Sequence, residues 1–122
     1  MGPESIQVAS TLNNIGSVYK DKGEYEKALD NYNKCLEIQT RVLGPESIQV
    51  ATTLNSIGGV YEDKGDYEKA LDNLNKCLEI RTRVLGPESI QVATTLNNIG
   101  LVYKNKGEYK KALENYNKCL EI

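Results

Sequence analysis

The sequence predicts an all-α fold, an α-solenoid of three stacked helix-turn-helix units. Three observations lead to this fold class. A segment of 42 residues recurs almost unchanged, each segment carries two stretches of apolar residues at helical spacing, and glycine and proline separate those stretches. Repetition with a period of about 20 to 50 residues is typical of solenoids. Because a lone helix pair cannot cover its own apolar face, neighbouring units must stack to form a core.

The repeated unit begins with the same eight residues at Gly2, Gly44 and Gly86. The first two copies differ at seven of 42 positions, and the third differs from the first at five of its 37 positions. No linker separates the copies, so we expect one array over residues 1–122, with repeats at 2–43, 44–85 and a truncated 86–122. Because the third copy stops within its second helix, we expect a piece of a longer array, natural or engineered.

The first helix of each unit follows from apolar residues at i, i+4, i+7 and i+11, which form one face of a helix. In the first copy, this expected core stripe consists of Val8, Leu12, Ile15 and Tyr19. Ser5 precedes the stripe and is a suitable N-cap. Gly23 follows it and can adopt the left-handed conformation that often ends a helix.

The second helix carries apolar residues at the same spacing. In the first copy they are Tyr25, Ala28, Leu29, Tyr32, Cys35 and Leu36. Glu24, or Asp66 in the second copy, is the expected N-cap. Gly44 and Pro45 end the helix through left-handed geometry and a missing N–H donor. The six predicted helices span 5–22, 25–43, 47–64, 67–85, 89–106 and 109–122.

Composition argues against several classes of function. A net charge of -2 gives no basic surface for nucleic acid or an anionic membrane, and no apolar run is long enough to span a bilayer. The chain has no histidine, which is the usual general base near neutral pH and a common zinc ligand. The spacing of Cys35, Cys77 and Cys119 fits no metal or redox motif, and we expect three free thiols. We therefore expect a soluble, cytoplasmic, non-enzymatic protein with no cofactor and no metal.

The pattern of each unit resembles the tetratricopeptide repeat. In the first copy, the matching residues are Leu12, Ile15, Gly16, Tyr19, Gly23, Tyr25, Ala28 and Tyr32. Leu12 stands where the family usually has tryptophan, and Thr40 where it usually has proline. Without that proline the second helix can continue for about one more turn, which accounts for 42 residues instead of about 34. The longer unit resembles kinesin-light-chain-type repeats.

This resemblance implies a right-handed superhelix whose first helices line a concave groove for a peptide or a helix. It also places Gly16 and its copies at a close helix contact, with Ala28 and its copies opposite. The family's carboxylate clamp for C-terminal peptides needs lysine, asparagine, asparagine, lysine and a cationic side chain at five positions. Those positions carry Asn13, Ser17, Ser56, Thr94 and Asn98. The sequence therefore disfavours that class of partner.

Differences between the copies concentrate on the first helix, opposite the expected core stripe. In the first copy, the variable positions of this helix are Ser10, Asn14, Ser17, Lys20 and Asp21. Two interpretations remain open, a groove that sets specificity and neutral drift on a solvated face. The candidate groove residues are Asn13, Asn14, Ser17, Lys20, Asn55, Gly59, Glu62, Asn97, Asn98, Leu101 and Lys104.

One groove position is asparagine in every copy, at Asn13, Asn55 and Asn97. An amide both donates and accepts hydrogen bonds, so such a row can hold a peptide backbone. Alternatively, these side chains bridge adjacent helices or face water.

We expect a protein-interaction scaffold that binds a peptide or protein segment. The alternative is a structural, self-assembling array without a dedicated ligand. The first and last copies are nearly identical, so the helix predicted at 109–122 can receive the start of a second molecule. We therefore also expect head-to-tail self-association that depends on concentration.

Overall fold

The computed structural model describes residues 5–122; residues 1–4, which include the predicted start of the first repeat at Gly2, lie outside the described residues. Within residues 5–122 there are six helices and no strand, as predicted. The helices are α1 (Ile6–Asp21), α2 (Tyr25–Leu43), α3 (Ile48–Lys64), α4 (Tyr67–Leu85), α5 (Ile90–Lys106) and α6 (Tyr109–Leu120). Every predicted helix end lies within two residues of the observed one. The predicted all-α fold is confirmed.

Local signals define the ends of the first helices. The Ser5 hydroxyl accepts a hydrogen bond from the Val8 N–H at 3.2 Å, and the copies of Ser5 cap α3 and α5 in the same way. Gly23 has a φ of +77°, as expected for a residue that ends a helix in the left-handed region. The serine cap and the glycine stop therefore follow from the sequence alone.

The second helices begin at the predicted residues, but their capping differs from the prediction. Asp66 accepts a long hydrogen bond of 3.4 Å from the Lys69 N–H, but Glu24 caps nothing because its carboxylate pairs with Lys22 and Lys27 instead. Gly44 has φ +95° and ψ 152°, which is not the left-handed helical conformation that we expected. This backbone region is essentially restricted to glycine, so the residue type is explained although its conformation was predicted wrongly.

The core is built at two kinds of contact that alternate along the stack. Within a repeat, the first helix packs on the second, as where Ala9 meets Cys35 and Ile38. Between repeats, the second helix packs on the next first helix, as where Leu29 of α2 lies with Val60 of α3. The α4–α5 contact uses the same positions as the α2–α3 contact. Each of α2 and α4 therefore lies between two first helices.

The predicted core stripe of α1 is partly wrong. Ile15 is 39% exposed, whereas Ile57 and Ile99 at the same position of α3 and α5 are 2% exposed. The physical reason is that Ile57 packs against the second helix of the preceding repeat, and no such helix precedes Ile15 among residues 5–122. The predicted stripe also omitted the position of Val60 in α3, which is fully buried at the same contact as Ile57.

Glycine allows the two helices of each repeat to approach closely, as the resemblance implied, but the residue opposite is not the expected alanine. A Cβ on Gly16 would lie 2.9 Å from the Tyr32 ring. A Cβ on Gly58 would lie 2.9 Å from Leu74 Cγ and 3.3 Å from the carbonyl oxygen of Ala70. The side chain at the position of Tyr32 therefore makes the main contact.

Polar side chains also connect the repeats inside the stack. Gln39 accepts a hydrogen bond of 2.6 Å from the Thr53 hydroxyl. Arg81, at the same position of the second repeat, is buried and donates to the Thr95 hydroxyl at 2.8 Å. Cys35 lies next to the first of these links, with its Sγ atom 3.8 Å from Thr53 Oγ1. These links join each second helix to the following first helix.

All three cysteines are free thiols in this fold, and Cys35 and Cys77 are buried. Within the described part of the chain, no helix combines the length and the hydropathy that a membrane span requires.

Candidate functional site

A polar cleft of about 320 Å³ lies between the first helices of the three repeats. We call it the central cleft. Its lining consists of Ser17, Lys20, Asp21, Tyr32, Asn55, Ser56, Gly59, Glu62, Asp63, Leu74 and Asn98. The first helices contribute nine of these residues, and the second helices contribute only the two large apolar ones, Tyr32 and Leu74. The cleft therefore presents hydroxyl, amide and carboxylate groups around an apolar patch.

Hydrogen bonds and an ion pair hold the sides of the central cleft together. Asn98 Nδ2 donates to Asn55 Oδ1 at 3.1 Å and so joins α5 to α3. Two turns further along α5, Asn105 Nδ2 donates to Glu62 Oε2 at 2.9 Å. On the other side, Lys20 Nζ lies 3.9 Å from Asp63 Oδ2 and joins α1 to α3. The three first helices are thus connected across the cleft before any ligand binds.

The electrostatics of the central cleft favour positively charged ligands. Asp21, Glu62 and Asp63 face a single cation, Lys20. Burial raises the pKa of the Glu62 carboxyl, and the neighbouring Asp63 charge adds to the rise, while the Asn105 hydrogen bond and Lys20 oppose it. Because three carboxylates share one ammonium group, a ligand cation entering the cleft would be stabilised.

The structure brings six of the eleven predicted groove residues into the central cleft. They are Ser17, Lys20, Asn55, Gly59, Glu62 and Asn98. Asn13 and Asn14 line a separate depression of about 300 Å³ beside Gln39 and Thr52. Asn97 lines a third depression with Cys119. Leu101 and Lys104 lie exposed on α5.

The predicted asparagine row is divided among these three cavities. Asn55 accepts its hydrogen bond from Asn98, which lies one position further along the repeat than Asn97. For this pair, the bridge between adjacent helices that the sequence left open is the observed arrangement. Asn13 and Asn97 line the neighbouring depressions, so any ligand that contacts all three must cross the whole face of the first helices.

Comparison with known proteins agrees with the fold and the repeat. The family model of the tetratricopeptide repeat matches residues 7–83 and again residues 49–122. The chain belongs to the tetratricopeptide repeat family. Its units form an α-solenoid wound into a right-handed superhelix, and proteins of this family are generally interaction scaffolds and typically not enzymes.

Solved structures with this tetratricopeptide repeat fold include proteins of the kinesin-light-chain type. BtubC (BKLC) from P. vanneervenii is 28% identical over 97% of this chain, with a TM-score of 0.88. A putative kinesin light chain from P. anserina with nearly identical TPR-like repeats is 16% identical over 99%, with a TM-score of 0.85. This chain covers 47% and 57% of those two chains, so it spans about half of their length.

A third neighbour is the N-terminal domain of stress-induced protein-1 from C. elegans. It is 17% identical, with a TM-score of 0.77, and the alignment covers 95% of this chain and 84% of that domain. A search of curated proteins finds no match.

The apolar residues of the central cleft were not among the predicted groove residues. Tyr32 and Leu74 were assigned to the core, and both are indeed buried, but they also line the cleft beneath the first helices. The sequence did contain one signal that this position could face a ligand, because it varies between the copies, from Tyr32 to Leu74 to Tyr116. Asp63 was not among the candidates, although its position varies from Asp21 and Asp63 to Asn105, and this variation is the signal that could have found it.

Proposed function

We propose that this chain is a non-enzymatic protein-interaction scaffold that binds an extended peptide or a helix along the face of its first helices. In this proposal residues 1–122 act as one array, and the central cleft is its main binding site. The observation that carries the proposal is the polar cleft between three first helices, held open by the Asn98–Asn55 and Lys20–Asp63 contacts. A cleft that is organised before binding reduces the entropic cost of holding a ligand.

The repeats differ on the face of the first helices, where the proposed groove would distinguish one ligand from another. At one position the three copies have side chains of different size, Ser17, Gly59 and Leu101. At another they differ in charge, with Lys20, Glu62 and Lys104. Each repeat thus offers a different surface on an otherwise constant frame. This pattern supports a groove that reads a specific segment.

The amides of the cleft retain hydrogen-bonding capacity for a peptide backbone. The Asn98–Asn55 bridge uses one N–H of Asn98 and one acceptor site of Asn55. The Nδ2 group of Asn55 and the Oδ1 atom of Asn98 can therefore still meet a peptide C=O and N–H. Since Asp21, Glu62 and Asp63 exceed Lys20 in charge, we expect the best ligands to carry lysine or arginine.

The same proposal assigns no catalytic residue to the cleft and a cytoplasmic location to the chain. Two carboxylates of the cleft, Asp63 and Glu62, are engaged by Lys20 and Asn105, which suits binding better than proton transfer. Free thiols at Cys35, Cys77 and Cys119 are typical of proteins in a reducing compartment.

A peptide screen with matched asparagine variants tests the proposal. Peptides of random sequence are screened for binding to the wild type, and the tightest is measured again with the double variant Asn55→Ala, Asn98→Ala. We expect a loss of about tenfold or more, because two hydrogen-bonding groups leave the cleft. The control is Asn31→Ala, Asn73→Ala, since these side chains only bond a carbonyl of their own helix.

The control variant should bind as tightly as the wild type. Equal affinity of the cleft variant and the wild type would contradict the role of the cleft. If no peptide binds the wild type, the structural array without a dedicated ligand becomes the better account. Single variants Asn13→Ala and Asn97→Ala then show whether a bound peptide reaches the neighbouring depressions.

A further inference from the structure

The two end faces of the described residues carry, uncovered, the same apolar positions that are buried between repeats. Leu29 and Leu71 are 5% and 6% exposed where α2 and α4 meet the next first helix, but Leu113 of α6 is 60% exposed. At the other end, Val18 of α1 is 58% exposed, whereas Val60 of α3 is fully buried. The face of α6 and the face of α1 are therefore the two halves of one known interface.

We propose that the chain binds a second copy of itself head to tail, and that Lys110 weakens this contact. The occupant of the α6 face follows from the internal interfaces, because there the partner of a second helix is always the first helix of the following repeat. Among residues 5–122, α1 is the first helix of a repeat that has no such contact with a preceding second helix. This inference does not depend on peptide binding in the central cleft.

Polar contacts of the central cleft continue across the proposed junction in the same register. Within the chain, Asn55 pairs with Asn98, and Lys20 pairs with Asp63. One repeat further on, Asn97 meets Asn14 of the second copy and Lys104 meets Asp21 of the second copy. Both pairs combine residue types that already bond each other inside the chain, so amide and charge complementarity support the second copy as the occupant.

One internal ion pair does not continue. At each internal interface the lysine at the C-terminal end of the first helix pairs with a glutamate in the first turn of the preceding second helix: Lys64 with Glu26, and Lys106 with Glu68. At the junction the corresponding residues are Lys22 of the second copy and Lys110. Two ammonium groups thus replace an ion pair, and the junction is weaker than an internal interface.

Substitution of this lysine should strengthen association. The variant Lys110→Glu restores the internal arrangement, because Lys22 of the second copy then faces a carboxylate. An exposed ion pair and the loss of a like-charge contact each have a modest effect, so we expect the dissociation constant to fall about threefold to thirtyfold. The contact does not close on itself, so the average mass should rise with concentration without a plateau.

Sedimentation equilibrium of the full chain, from about 10 μM to about 1 mM, tests the inference. The matched control is Lys118→Glu, which makes the same change of charge at another exposed position of α6. A second control, Leu113→Asp, removes apolar contact from the end face without disturbing the fold, since this side chain is largely exposed already. A double variant, Lys22→Glu with Lys110→Glu, again brings like charges together.

We expect Lys110→Glu to associate more tightly than the wild type, Lys118→Glu to behave as the wild type, and Leu113→Asp to remain monomeric. The double variant should return close to wild-type affinity, and salt at about 0.5 M should reduce the effect of Lys110→Glu. A strict monomer for both the wild type and Lys110→Glu would overturn the inference. Equal strengthening by Lys118→Glu, or no effect of Leu113→Asp, would also overturn it.

Discussion

Two adjacent glycines of α3 are expected to respond to alanine in opposite directions. A Cβ on Gly58 would lie 2.9 Å from Leu74 Cγ and 3.3 Å from the backbone oxygen of Ala70, which cannot rotate away as a flexible side chain can. A Cβ on Gly59 would lie 3.7 Å from Lys20 Cε, an ordinary contact with a mobile chain. Gly58→Ala therefore overpacks the α3–α4 contact, and Gly59→Ala does not.

The size of the difference follows from two opposing effects. Alanine in a helix interior is more favourable than glycine by about 0.5–1 kcal/mol, and both variants gain this amount. Overpacking a close contact costs about 1–3 kcal/mol, and only Gly58→Ala is destabilised in this way. We expect Gly59→Ala to raise the free energy of unfolding by about 0.5–1 kcal/mol. Its free energy of unfolding should exceed that of Gly58→Ala by about 1–3 kcal/mol.

Urea denaturation followed by far-UV circular dichroism measures both variants against the wild type. With a slope of about 1–3 kcal/mol per molar urea, the two midpoints should differ by roughly 0.3–3 M. The slopes should stay equal, because neither substitution changes the surface exposed on unfolding. If Gly58→Ala raises the midpoint as much as Gly59→Ala, close approach of α3 to α4 is not the reason for glycine at this position.

Two further predictions concern titratable groups. Burial raises the pKa of the Cys35 and Cys77 thiols, so a thiol reagent at about pH 8 should modify Cys119 first in the native protein. The unfolded, unreduced protein should titrate three thiols, and a count of one would reveal a disulfide. Burial also raises the pKa of Glu62 above its ordinary value of 4.5, so its protonated form favours folding, and this contribution is lost as the pH rises through the raised pKa. The urea midpoint of Glu62→Gln minus that of the wild type should therefore be larger at about pH 7 than at about pH 4. A smaller difference at pH 7 than at pH 4 would contradict the raised pKa.

Much of the fold is predictable because the signals that determine it are local. The serine cap at Ser5 and the glycine stop at Gly23 act within one turn, so the helix ends could be read from a few residues. The helical spacing of apolar residues identified the second helices for the same reason. Ile15 was placed in the core wrongly because its burial depends on a neighbouring repeat, which the pattern of its own helix does not describe.

The central cleft was less predictable because the sequence period does not determine how successive repeats are offset. Residues at the same position of two repeats are 42 apart, but the pairs Asn55–Asn98 and Glu62–Asn105 are 43 apart. This offset is a property of the stacked helices and not of a single unit. For this reason a row of identical asparagines appeared in the sequence, whereas in the structure Asn55 pairs with Asn98, which is not a member of that row.

The equivalence of the two inter-repeat interfaces has a consequence for the gene. Loss of residues 44–85 would bring Leu29 against Val102 and Glu26 opposite Lys106, which are the same kinds of contact that α2 now makes with α3. In-frame recombination between equivalent points of two repeats therefore adds or removes a whole unit, wherever in the repeat the crossover falls. Each product keeps complete caps and matched interfaces, so alleles that encode arrays of different length can arise without passing through a misfolded protein.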